Sequence, residues 1–123
     1  MNRCLRRAGL PYRARWCASG ARFWDRLGAM LADDLPAIIA VGPNFPRLWG
    51  REGVTLYRLA EGGGYVPAER VRAHFLTVTG LDGGWLRVST WGTERYLRRA
   101  DYDGYMRRQS AALFTNLLLL QKI

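Results

Sequence analysis

An α+β fold, an antiparallel sheet with one or two helices packed against it, is what this sequence predicts, and three observations carry the expectation. Asp82-Gly83-Gly84 joins two alternating runs, Arg72 to Gly80 and Trp85 to Trp91. Asp-Gly between such runs is among the strongest short-range hairpin signals. Ala37-Ile38-Ile39-Ala40-Val41 is a continuous apolar run of strand length, the pattern of a strand covered on both faces. Phe23, Trp24, Leu27, Met30 and Leu31 recur at helical spacing and mark an amphipathic helix over about 21–34.

The remaining elements follow in chain order. Residues 2–8 read as the end of a helix, with Gly9 as its stop. Tyr12 to Trp16 alternates aromatic and basic residues, as a short strand does. Ser19 offers an N-cap for the 21–34 helix, and Pro36 closes it. Asp33 and Asp34 fall at its C-terminal end, where the macrodipole disfavours acids. Residues 42–46 form a loop by composition, and Val54 to Leu59 is a strand candidate. Glu61-Gly62-Gly63-Gly64 is a turn, and Glu94 to Leu97 a further strand. Asp101 to Arg108 reads as a short helix carrying Tyr102, Tyr105 and Met106. Residues 112–121 read as a closing strand, with a helix as the alternative. The expected core holds Trp24, Leu27, Leu31, Ile38, Ile39, Val78 and Val88.

With 123 residues and no internal repeat or linker, a single domain over 1–123 is expected. Hydrophobic residues at 49% and charged ones at 24% argue against disorder. The formal charge is +9, and of 19 basic residues only Lys122 is not Arg. Arginine suits phosphate and carboxylate recognition. These arginines are scattered along the chain, however, and no RNA-binding aromatic signature occurs, so nucleic acid is a disfavoured partner. No Cys-x-x-Cys pair occurs and there is one histidine, which disfavours a metal centre; no cofactor is expected. Leu117 to Leu120 is too short an apolar run to span a bilayer, and no secretory signal is legible. A complete chain of this kind would be expected in the cytoplasm. Oligomeric state is not legible.

His74 starts the first strand of the hairpin. Period-two alternation puts His74, Leu76 and Val78 on one face, and groups Trp85, Arg87, Ser89 and Trp91 on the returning strand. Depending on the turn, His74 lies opposite Trp91 to Thr93, and Ser89 opposite Leu76 to Val78. Trp91 is then the nearer neighbour of the imidazole and Ser89 a diagonal one. Asn44, in Gly-Pro-Asn-Phe, could line a cleft, although turn chemistry explains it equally well.

The stretches His74-Phe-Leu-Thr-Val-Thr-Gly80 and Trp85-Leu-Arg-Val-Ser-Thr-Trp-Gly92 resemble the histidine hairpin of papain-like cysteine peptidases, specifically the bacterial bacteriocin-leader-peptidase branch. The helix at 21–34 followed by Leu35-Pro36-Ala37-Ile38-Ile39 resembles what precedes that histidine in the family, so the likeness covers roughly 21–110. It implies the C-terminal half of a papain-like domain, with His74 as catalytic base and Ser89 at the orienter position that the family fills with Asn or Asp. Trp91 and Gly92 would line the site, and a peptide or protein would be the substrate.

The family's nucleophile is a cysteine opening a long helix, with an upstream Gln. Neither pattern is present. Cys17 is the candidate nucleophile, with Arg15 and a following helix N-terminus able to lower its pKa. Cys4 lies inside a helix end. The expected function is therefore a catalytically incomplete peptidase-like domain. A noncatalytic peptide-binding module and a basic anion- or nucleic-acid-binding domain are the alternatives.

Overall fold

Helix α1 (Asn2–Arg7) stops where the sequence places its stop. Gly9 adopts φ 70°, Gly9 N–H donates to the Arg6 carbonyl and Leu10 N–H to that of Leu5. That is a Schellman closure, in which a left-handed residue lets two free carbonyls of the last turn be satisfied. The second helix, α2 (Phe23–Ala32), ends the same way. Asp34 takes the left-handed position at φ 57°, with Asp34 N–H bonded to the Leu31 carbonyl and Leu35 N–H to that of Met30. The two aspartates are thus the helix terminator rather than its last turn. Asp enters this backbone region more readily than most residues.

A computed structural model describes residues 2–17, 22–41, 53–109 and 116–122. The expected caps and loops at Ser19 and 42–46 lie outside them. The strands are β1 (Tyr12–Cys17), β2 (Ala37–Val41), β3 (Val54–Leu59), β4 (Tyr65–Val71), β5 (His74–Asp82), β6 (Trp85–Thr90), β7 (Thr93–Arg98) and β8 (Leu117–Lys122). Helix α3 (Arg99–Gln109) follows β7. Together they form the expected α+β fold: one eight-stranded sheet of order β1-β8-β2-β5-β6-β7-β3-β4, antiparallel throughout. The 112–121 segment is strand from Leu117 onward, not helix, and sits between β1 and β2. No helix among the described residues is long and apolar enough to cross a membrane.

Strand β4 is not among the strands expected from the sequence, and Pro67 lies inside it. Proline cannot donate to a ladder and is confined to edge strands and bulges. Here β4 is the sheet's edge, and its register with β3 shifts between Leu56 and Tyr57. At the opposite edge, β1 is guarded by the Asn2 side chain. Its amide donates to the Ala14 carbonyl at 2.9 Å and its oxygen accepts from Ala14 N–H.

The core lies on one face of the sheet. Phe23, Leu27 and Met30 of α2, with Tyr102 and Tyr105 of α3, cover Ile39, Leu56, Leu76, Val78, Leu86, Val88 and Leu97. Three residues expected in this core are only half-buried: Trp24, Leu31 and Ile38. Ile38 points to the face opposite Ala37 and Ile39, so helices cover β2 on one side rather than two. Trp24 and Leu31 flank the buried stripe of α2 rather than forming its centre.

Candidate functional site

His74 opens β5 opposite Val41, at the rim of the covered face. Its Nε2 lies 2.6 Å from the Thr90 hydroxyl oxygen, and its ring stacks on Trp91 with centroids 4.6 Å apart. Thr90 is buried, at 8% exposure, whereas Trp91 is 61% exposed. A hydroxyl is both donor and acceptor, so the pair is satisfied with either neutral imidazole tautomer.

Thr90 stands where Ser89 was expected, and a bulge is the reason. Asp82 pairs with Trp85 across the Gly83-Gly84 turn, but the β5–β6 register shifts between Val78 and Gly80. Without the extra residue Val78 would face Ser89; with it Val78 faces Val88 and Thr77 faces Ser89. A one-residue slip exchanges the two faces of a strand. Ser89 therefore points to the face opposite His74, exposed, and Thr90 joins the imidazole. The bulge hides inside an ordinary alternating run, and the sequence carries no local mark of it beyond Gly80.

Trp91 and Gly92 form the β6–β7 turn, at φ 51° and 70°, with Thr90 opposite Thr93. Trp91 was expected at the end of the strand; it occupies the turn instead. A two-residue turn with both central residues left-handed matches the twist of a hairpin and favours Asn-Gly. Tryptophan there is strained. Ala73, immediately before His74, is left-handed too, at φ 45°. Among the described residues only Asp34 joins these two as a non-glycine with positive φ. Strain of this kind costs on the order of 1–3 kcal/mol and clusters at functional sites.

The thiols are elsewhere. Cys17 Sγ donates to the Leu117 carbonyl at 3.4 Å. Its row across the sheet runs Cys17, Leu117, Ile39, Leu76, so three strand spacings separate it from β5. At about 4.8 Å per spacing that is roughly 14 Å, far beyond a thiol–imidazole hydrogen bond. Cys4 is exposed on α1. Asn44 lies outside the described residues. No acid among the described residues bonds to His74. No cluster of three or more metal-ligating side chains occurs among those residues.

Of the six residues singled out from the sequence, the structure thus brings His74, Trp91 and Gly92 together, adds Thr90, and separates Ser89 and Cys17 from them. No protein-family model matches this chain, and neither the curated proteins nor the solved structures yield a match.

Proposed function

We propose that this chain carries the histidine half of a papain-like peptidase site and does not hydrolyse peptides by itself. The observation that carries the proposal is the corner around His74. Two strained non-glycine residues, Ala73 and Trp91, flank an imidazole bonded to Thr90 and shielded on one ring face by an indole. Strain retained around a single titratable side chain is hard to explain as packing, because Trp91 is mostly exposed.

Imidazole is a competent base near neutral pH. A base needs its nucleophile within hydrogen-bond reach and an oxyanion stabiliser aimed at the reacting carbonyl. The roughly 14 Å across the sheet to Cys17 leaves His74 without a thiol. Thr90 orients the ring as a neutral partner, without the negative charge that stabilises imidazolium in a triad.

The test is to treat the purified chain with a thiol-reactive peptide electrophile, beside Cys17→Ala and His74→Ala variants. Slow labelling, equal with and without His74, is the expected result. Labelling at Cys17 that requires His74 would make the two a working dyad and overturn the proposal.

A further inference from the structure

Four aromatic residues far apart in the sequence meet on the sheet face that the helices leave open. Tyr57, Tyr65, Trp85 and Tyr96 come from β3, β4, β6 and β7. The register fixes their side: Leu56 pairs with Leu97 and Leu97 with Leu86 on the covered face, so their neighbours Tyr57, Tyr96 and Trp85 point away from it. Tyr65 stacks flat on Trp85 at 3.9 Å, Tyr57 meets Trp85 edge-on at 5.1 Å, and Tyr96 meets Tyr65 edge-on at 5.1 Å. All four rings are half-exposed.

Arginine lies over this surface. The Arg98 guanidinium sits 5.2 Å from the Tyr57 ring and 5.3 Å from that of Trp85. Next to it, Arg99 sits 4.4 Å over Trp24. Between the two arginine–tryptophan pairs opens a cleft of about 630 Å³, lined by Trp24, Trp85, Arg98, Arg99 and Asp103. Its one acid is already engaged: Asp103 accepts from Trp24 Nε1 at 3.2 Å and pairs with Arg107 at 2.7 Å. Neither Arg98 nor Arg99 has a carboxylate partner among the described residues.

We propose that this face, with the cleft at its end, binds single-stranded nucleic acid. Half-exposed aromatic rings can stack on bases, and guanidinium forks without a carboxylate partner can hold phosphates. A cluster of rings with two arginines beside it offers both the stacking surface and the phosphate partner that a single strand requires. A duplex hides its base faces, and an acidic peptide offers charge without planar rings. The charge of +9 adds the long-range attraction that a polyanion needs. The site is separate from His74, which lies on the other face and at the far end of the β5–β6 hairpin.

Fluorescence anisotropy with labelled oligothymidylate and oligouridylate of about 12 nucleotides tests the proposal, with thermal melts confirming that each variant folds. R98Q/R99Q should weaken binding about tenfold, and Trp85→Leu about fivefold or more. R3Q/R6Q removes the same charge from α1 and should weaken binding less than about twofold. His74→Ala should leave it unchanged. Equal losses in the two arginine doubles, equal affinity for duplex DNA, or equal competition by polyglutamate would each reduce the effect to bulk charge and overturn the proposal.

Discussion

Tyr102, fully buried in α3, donates its hydroxyl hydrogen to the Ala40 carbonyl of β2 at 2.8 Å. Ala40 N–H bonds to the Asn116 carbonyl at 2.9 Å, just before β8 begins. The tyrosine hydroxyl therefore satisfies a β2 carbonyl at the point where the β8 ladder runs out. The Asn116 side-chain amide donates in turn to the same hydroxyl oxygen at 3.3 Å.

Tyr102→Phe would strip a buried carbonyl of its donor and a buried amide of its acceptor. A loss of about 1–3 kcal/mol in urea denaturation is expected. Burial also holds the Tyr102 hydroxyl far above its ordinary value of 10.0. Its protonated form thus favours the fold fully below that value, and the contribution fades as pH rises past it. The phenylalanine variant should lose less stability than the native chain above about pH 10; identical alkaline limbs would show that Tyr102 ionises freely in the fold.

Arg95 donates from its guanidinium to both carboxylate oxygens of Glu69, at 2.9–3.0 Å, joining β7 to the β4 edge. Hydrogen bonds from Arg95 hold the Glu69 carboxyl below its ordinary 4.5, against a smaller opposing effect of desolvation. A depressed carboxylate stabilises the fold above its unfolded value and stops doing so as pH falls through the folded one. Glu69→Gln should destabilise at neutral pH and match the native chain near pH 2. A difference that stayed constant across that range would locate the effect in packing instead of charge.

Leu27 and Ile39 are both fully buried on the covered face. Truncating either to Ala should cost about 2–5 kcal/mol, through lost transfer energy and the cavity left behind. For a domain stable by roughly 5–15 kcal/mol, that is a large share. Losses below about 1 kcal/mol at both positions would contradict the packing of α2 on β2.

Trp91→Asn places a residue suited to left-handed backbone in the β6–β7 turn. Stability should rise by up to about 1 kcal/mol as the turn relaxes, while His74 loses its stacking partner. A loss of more than about 1 kcal/mol would mean that the indole–imidazole stack outweighs the strain.

Much of this architecture is written in local pattern. The Gly9 stop, the α2 helix, the β2 strand and the Asp82-Gly83 hairpin each express a short-range rule, and the structure has all four elements, although β2 is covered on one side rather than two and Trp24 and Leu31 only flank the buried stripe. The sequence by itself also determined that His74 would open a strand beside Trp91, because hairpin pairing reaches only a few residues along each strand. Which hydroxyl meets the imidazole was decided by one bulged residue near Thr79, which exchanged Ser89 for Thr90. A bulge arises from how β5 must bend between its neighbours, and no local periodicity encodes it. The distance from Cys17 to His74, and the gathering of Tyr57, Tyr65, Trp85 and Tyr96, depend on strand order across the whole sheet. Strand order reflects how the covered face packs as a unit, so only the tertiary structure could hold Cys17 apart from His74 and bring the rings together.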